Sequence, residues 1–451
     1  MSLEGSLEAP VRHPIRWQDP EFHDPAALDS EMRRIFEICH GCRRCFNLCD
    51  SFPRLFELID NNPTEDVDGV NSADFSKVTE ACTLCDMCFM TKCPYVPPHP
   101  WQVDFPHLLL RHRIVSARDD KTGFTARQLA ETDRNGRLAR HVAPLANWAT
   151  ARKNKPARRI MERLLGIDAH ASLPKFAATN FLMQDRDAPV SPNPLAPAFG
   201  QRKCALFATC IVNYNKPATG MAARAVLNHI GVETRVAYPG CCGMPFLEQA
   251  EIEKVAGQAF TISAQLCRLM DEGYDIVTLT ASCGLMLKFE WPLIVPDDAN
   301  VKRLASAVYD IDEYVLDISK RHGLPAGLTP LQDGITVHMA CHARAQNIGS
   351  KAAELLRMIP DTPIDVIERC SGHGGTFGVL KGTHSVAMKV GKPAMRQVAN
   401  QAHGHVVSDC PLAAEHLVQG ARELAESEGK ELPAKKPEHP IEVFARSYGL
   451  M

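Results

Sequence analysis

The chain has 451 residues, 45% of them apolar, and a net charge of −3. That length accommodates two or three domains, the apolar share suits ordinary globular cores, and the small net charge hides a strongly basic segment. Its 17 cysteines sit at short fixed spacings, which excludes a disulfide-stapled secreted fold and points to a reducing compartment.

Residues 1–8 have neither the basic nor the apolar region of a secretion signal. No apolar run approaches the ~18 residues of a membrane helix, so a cytoplasmic protein is expected. Residues 1–30, rich in Pro, Asp and His, read as an extended arm. A short helix over 31–38 then leads into the first cysteine group, Cys39, Cys42, Cys45 and Cys49, spaced C-x2-C-x2-C-x3-C. The second group, Cys82, Cys85, Cys88 and Cys93, is spaced C-x2-C-x2-C-x4-C and followed by Pro94.

Three thiols at intervals of three residues let a short loop wrap three corners of an iron–sulfide cube, and a fourth further on can leave the loop for a second cluster. By that rule Cys39, Cys42, Cys45 and Cys93 hold one [4Fe–4S] cluster, and Cys82, Cys85, Cys88 and Cys49 another. A structural zinc site takes four ligands, commonly as two short pairs, and has no use for a third closely spaced cysteine. Two details depart from the ferredoxin run: Asp50 follows Cys49 where a proline is usual, and one extra residue precedes Cys93. Between the groups, Phe52, Leu55, Phe56, Leu58 and Ile59 have helical spacing. Residues 31–120 therefore resemble the helical two-cluster ferredoxin domain of respiratory iron–sulfur subunits rather than a small βαβ ferredoxin. Residues 94–100 form a proline-stiffened exit, and helix resumes over 105–116.

Residues 121–200 read as a basic helical linker. Residues 121–160 hold ten Lys or Arg (Lys121, Arg127, Arg134, Arg137, Arg140, Arg152, Lys153, Lys155, Arg158, Arg159) against Glu131 and Asp133. With one aromatic, Trp148, and no recognition motif, the stretch does not suit nucleic acid. A solvated helix face and a dock for anionic lipid or an acidic partner both fit it. Residues 125–165 predict two amphipathic helices broken near Asn135-Gly136 and around 154–156. A Pro/Ala-rich loop at 188–198 closes this half.

The second half alternates strands and helices, which implies α/β layers with parallel pairing. Strands are expected at 203–208, 233–237 and 274–280, with helices at 218–230 and 248–271. The order recurs with strands at 334–339, 364–367 and 405–407 and helices at 351–358, 384–401 and 411–425. Repeats of 201–300 and 301–430 and a tail of 431–451 follow. Cysteines fall just past each strand: Cys210, Cys241-Cys242 and Cys283 in the first repeat, Cys341, Cys370 and Cys410 in the second. Carboxyl ends of strands in open α/β sheets gather ligands, so each set can converge on one point.

These residues resemble the cysteine-rich CCG-domain iron–sulfur oxidoreductases, whose members include subunits of heterodisulfide reductase, glycolate oxidase and anaerobic glycerol-3-phosphate dehydrogenase. The resemblance implies an α + α/β architecture: a helical two-cluster ferredoxin domain followed by two α/β CCG repeats. It further implies an iron–sulfur cluster on Cys210, Cys241, Cys242 and Cys283, with Gly243 letting the backbone pass close by. The second repeat departs from the pattern, having Cys370-Ser371 where the family has two cysteines. Cys341, Cys370 and Cys410 remain, with His342 or His373 as a candidate fourth ligand, so a cluster, a zinc ion or no metal all fit. Cys267, on an apolar stripe, and Cys204, inside a strand, read as packing residues. Gly374-Gly375-Thr376-Phe377-Gly378 lacks the lysine of a phosphate loop and reads as a turn after Cys370. His338 and His405 read as satisfied strand histidines.

The function so implied is an iron–sulfur electron-transfer protein or subunit. Electrons pass from a flavoprotein dehydrogenase or redox-protein partner to a quinone or protein acceptor, with any membrane contact peripheral on the inner face. A heterodisulfide-reductase-like enzyme that reduces a disulfide or thiol substrate at the CCG cluster is the alternative.

Overall fold

Two four-stranded parallel sheets carry the C-terminal half of the computed structural model, which describes residues 5–6, 8–117 and 123–451. Lys121 of the basic stretch, and residues 1–4 and 7 of the N-terminal octet, lie outside the described residues. The first sheet comprises β1 (Lys203–Phe207), β2 (Glu233–Ala237), β3 (Asp275–Thr278) and β4 (Val308–Asp310), ordered β2-β1-β3-β4. The second comprises β5 (Ile335–His338), β6 (Ile364–Ile367), β7 (His405–Ser408) and β8 (Lys436–Glu438), ordered β6-β5-β7-β8. Every ladder is parallel, with Phe207 level with Ala237 and Thr278, and His338 level with Ile367 and Ser408.

The central strands are aliphatic on both faces because helices cover both, and β5 and β7 are buried throughout. In each sheet the chain leaves the first strand to one side and returns on the other. This order reversal opens a crevice at the carboxyl ends of β1 and β3, and of β5 and β7.

The fourth strands were not expected. β4 lies past the residue-300 boundary, and β8 lies in residues read as a polar tail. Both are three residues long, too short for a period to register, and Pro437 suits the outermost strand, where a missing N–H costs no ladder bond. The segment read as a short apolar tail is the helix Pro440–Ser447, which buries Ile441, Val443 and Phe444 against the helix Pro217–His229 of the first repeat.

The N-terminal part is helical. The helix Pro25–Cys42 starts earlier than predicted because Asp24 caps it, accepting from Ala26 N at 2.9 Å, and Pro25 suits a first turn. It is followed by Ser51–Asp60, Phe75–Glu80 and Phe105–Ala117, packed through Phe36, Phe52, Phe75 and Phe105. Rings of Phe52 and Phe105 stack at 4.5 Å. The arm crosses this part, bonding Ser6 N to Pro94 O (2.8 Å) and Val11 N to Pro97 O (2.9 Å). It then reaches the first repeat through Ile15 N and Leu293 O at 2.8 Å.

Where two helices were expected, residues 123–165 form four α-helices: Phe124–Ala130, Thr132–Ala139, Ala143–Thr150 and Lys155–Leu165. Asn135-Gly136 does not break the chain but lies inside the second of them. Gly136 is there for closeness, since a Cβ would lie 2.3 Å from the Tyr214 ring. Arg158, counted with the basic face, is instead 1% exposed and holds the main-chain oxygens of Asp168 (2.6 Å) and Ala171 (2.7 Å). Among the described residues no helix is long and apolar enough to cross a membrane.

Candidate metal centre

The helix Pro25–Cys42 ends in the left-handed Arg43, φ 51°, which swings the following loop back on itself. Cys39, Cys42 and Cys45 then line one small cavity, and the fourth cysteine on it is Cys93 of the second group. Burial raises the Cys39 thiol well above its usual range, with Cys93, Cys45 and Cys42 adding to it. Cys49 goes the other way. Burial pushes it up to about 12, and the thiol that contributes most is Cys82. Cys88 is raised by burial first, then by Cys85, Cys82 and Cys49. The loop between Cys82 and Cys88 turns through two left-handed residues, Leu84 (φ 49°) and Asp86 (φ 60°). The two groups therefore exchange their fourth cysteines in space.

Asp86 is held by Arg12 of the arm, whose guanidinium also bonds Asp104 (2.8 Å) and Glu290 (3.1 Å). Burial works against the Asp104 carboxylate, but Arg12 and His107 outweigh it and hold the group at about 2. This buried network ties arm, cysteine loop and first repeat together. Its signal in the sequence is slight: an arginine in an arm otherwise read for its Pro, Asp and His.

In the first repeat the four cysteines meet at the carboxyl ends of β1, β2 and β3. Cys210 opens the helix Cys210–Tyr214 and Cys283 lies in Ala281–Leu285, so both sit in the first turns of short helices. Sγ atoms of Cys210 and Cys241 are 3.8 Å apart, and those of Cys242 and Cys283 3.2 Å. The contacts with Cys210 and Cys242 lower Cys241 well below a free thiol, while the same contacts raise Cys210 and Cys242. Among the described residues no disulfide joins any of these cysteines. Gly243 at φ 91° passes close by, where a Cβ would lie 2.7 Å from Gln258 Oε1. Four packed thiols with a glycine-lined approach fit an iron–sulfur cluster.

Two further residues hold this set. Asp133 accepts from Cys241 N at 3.0 Å and from the Tyr238 hydroxyl, and Trp291 Nε1 donates to Cys242 O at 2.9 Å. Asp133 escaped the sequence reading, although an acid inside a basic stretch was a usable signal.

The second repeat brings Cys341, Cys370 and Cys410 to its own crevice, all raised by burial, Cys410 to about 11. The two histidine candidates separate. His342 Nε2 lies 3.3 Å from Leu84 O, whereas His373 Nε2 is buried without a hydrogen-bond partner among the described residues. His373 lines the same cavity as the three thiols, and among the described residues the four lie wider apart than a single bound ion draws its ligands. Ser371 is buried beside it. Cys204 and Cys267 are buried in the core, with Cys267 Sγ donating to Asn300 O at 3.4 Å. His338 is satisfied by Ser408 and the Arg369 oxygen, both at 3.0 Å, and His405 by Glu438 at 2.6 Å.

The sets are not isolated. Cys49, Cys85, Cys210, Cys242, Cys283, Cys341, Cys370 and Cys410 line one cavity of about 420 Å³ between the repeats.

The cysteine-rich CCG domain family matches residues 204–288 and 335–413, covering both crevices. Lactate utilization protein A of Bacillus pumilus is 30% identical over 188 residues, 39% of this chain and 75% of the relative. The chain belongs to the CCG-domain iron–sulfur oxidoreductase family. A subunit of the anaerobic glycerol-3-phosphate dehydrogenase of Escherichia coli is 28% identical over 288 residues, 62% of this chain and 69% of the relative. An uncharacterised iron–sulfur protein of Methanocaldococcus jannaschii is 29% identical over 227 residues, half of this chain and 42% of the relative. In this CCG family member the doubled motif coincides with the two parallel sheets.

Proposed function

We propose that this chain is an electron-transfer subunit. It takes electrons from a flavoprotein dehydrogenase or other redox-protein partner and passes them to a quinone or protein acceptor. The observation that carries this reading is the convergence of eight cysteines, from the N-terminal helical part and both repeats, on a single cavity. The E. coli relative, part of a dehydrogenase by name, supports the partner class.

Cys39, Cys42, Cys45 and Cys93 would hold one [4Fe–4S] cluster of a helical ferredoxin-type domain, and Cys82, Cys85, Cys88 and Cys49 the other. Cys210, Cys241, Cys242 and Cys283 would hold a third cluster, while Cys341, Cys370 and Cys410 with His373 would take a cluster or zinc. Clusters bound there supply one-electron transfer, with the protein setting potential through ligand type, hydrogen bonds and burial. Asp133 and Trp291 orient the main chain of the third set, whose Cys241, Cys242 and Cys283 are buried from solvent.

The linker supports a peripheral site at the inner face of a membrane. Half of the exposed large apolar side chains among the described residues fall between 124 and 165, including Leu138, Leu145, Trp148, Ile160 and Leu164. Exposed Arg137, Lys155, Arg159 and Arg163 share those helices, and exposed Lys153 lies in the turn between the last two. Apolar and cationic side chains together suit an anionic lipid surface better than a merely solvated face.

The test is reduction and reoxidation of anaerobically prepared protein followed by electron paramagnetic resonance. The reading expects at least three iron–sulfur signals, reduced by dithionite and lost on adding decylubiquinone. Signals that reoxidise only with small disulfides would replace it with the thiol-substrate alternative.

A further inference from the structure

Two arginines tie the second cysteine group to the first repeat, and they differ in what meets their charge. Arg12 bonds Asp86, between Cys85 and Cys88, and Glu290 of the first repeat, with Asp104 as a third carboxylate. Arg113 makes the other bridge, from the helix Phe105–Ala117. Its Nη2 donates to Thr79 O at 2.7 Å and to Cys82 O, and its Nη1 to Glu248 O at 3.3 Å. Glu248 ends the helix Met244–Glu248, which begins directly after Cys242-Gly243. One guanidinium therefore joins the main chain at Cys82 to the helix that follows the double cysteine of the first repeat.

Part of this arrangement is structural. Thr79 lies in the last turn of the helix Phe75–Glu80, whose free carbonyls favour a cation. The charge is not consumed there. Among the described residues each hydrogen bond of Arg113 goes to a main-chain oxygen, where Arg12 meets three carboxylates. The Glu248 side chain runs to the second repeat instead, its Oε2 lying 2.3 Å from where a Gly375 Cβ would be. Reduction adds one negative charge to an iron–sulfur cluster, and a cation held beside it favours that state. Arg113 is partly buried, so water screens its charge less than it screens an exposed one. Cys49 and Cys85 of this set line the cavity of the repeats and none of Cys39, Cys42, Cys45 and Cys93 does, so this set is the bridge between the two parts.

Resting on the electron-transfer reading, we propose that Arg113 is a positioning residue that raises the potential of the cluster on Cys49, Cys82, Cys85 and Cys88. Its fixed charge draws an electron from the set on Cys39, Cys42, Cys45 and Cys93 onto the set that faces the repeats. One electron moves at that step: the first set is oxidised, the second is reduced, and no proton or bond changes place. Arg12 does not share this role, because three carboxylates outweigh its own charge.

The experiment is a redox titration of anaerobically prepared full-length protein, followed by electron paramagnetic resonance, on wild type, Arg113→Gln and Arg113→Lys. The signal altered by Cys88→Ser marks the set beside Arg113. Arg113→Gln is expected to keep its iron content and every signal, while the reduction equilibrium of the marked set falls about tenfold, about 59 mV for one electron. The other signals should hold their potentials. Arg113→Lys keeps the charge without the planar fork and should stay nearer wild type than Arg113→Gln. Should the glutamine variant lose iron, Arg113→Met, which keeps the apolar stem, carries the same expectation. An unchanged potential in an iron-replete neutral variant would overturn the proposal. So would an equal fall in the lysine variant, which would place the effect in the bonds rather than the charge. Wild-type protein with iron–sulfur signals absent would instead remove the electron-transfer reading itself.

Discussion

The two repeats have one strand order and place their cysteines at the same strand ends, but they differ in ligands and in neighbours. The first presents four thiols in two close pairs, 3.8 and 3.2 Å apart, braced by Asp133 and Trp291. The second has Ser371 where the second thiol of the pair would be, and an unpartnered His373 nitrogen nearby. Proximity runs the other way. Cys341 and Cys370 both act on Cys85, and Cys370 also acts on Cys49, so the thinner ligand set stands closer to the N-terminal cysteines. The fold thus fixes where ligands can converge, while single side chains fix what they can hold.

The largest effect should come from Cys242→Ser. It removes a soft ligand from the complete set, and a neutral hydroxyl is a poor replacement for thiolate on iron. Electron delivery to the acceptor should be abolished while the N-terminal paramagnetic signals persist. Cys370→Ser should slow delivery roughly tenfold, the lower end of what losing a metal-site contact costs. If Cys370→Ser were as inactive as Cys242→Ser, with unchanged fold and thermal stability, the repeats would be equal working centres and His373 a functioning ligand.

The linker touches both repeats, Cys241 through Asp133 and Glu423 through Arg152, so its docking affects both alike. Lys155→Glu should weaken binding to anionic vesicles by more than about fivefold, from ~1 kcal/mol per removed charge, with the loss shrinking as salt rises. Equal binding to neutral and anionic vesicles would return these helices to solvent. The smallest effect is expected from Ser371→Cys. It should raise iron per chain without changing the rate of delivery, because the first repeat already carries the function.

Much of this was legible in the sequence. β2 and β6 lie at their predicted residues, and the remaining four strands that the aliphatic runs announced fall within a residue or two. β4 and β8 escaped because three residues cannot show alternation and Pro437 argues against a strand unless the strand is an edge. Asn135-Gly136 reads as a helix break by local rules, but the Tyr214 ring lies where a Cβ would go, and only tertiary packing reveals that. Spacing pointed to the exchange of Cys49 and Cys93, since a fourth cysteine further on can leave its loop. It could not reveal that Cys49 and Cys85 reach the cavity of the repeats. Contacts of that kind are made by the packing of one part on another, which no local pattern encodes.

The central claim is that this CCG family member is built to hold several iron–sulfur clusters on convergent cysteines. Iron, acid-labile sulfide and zinc per chain, measured on anaerobically prepared protein, test it most directly. Two cubane clusters contribute about eight irons and the first repeat a few more, so iron above about eight with matching sulfide and little zinc is predicted. Fewer than about six irons, or zinc equal to iron, would contradict the account at its base.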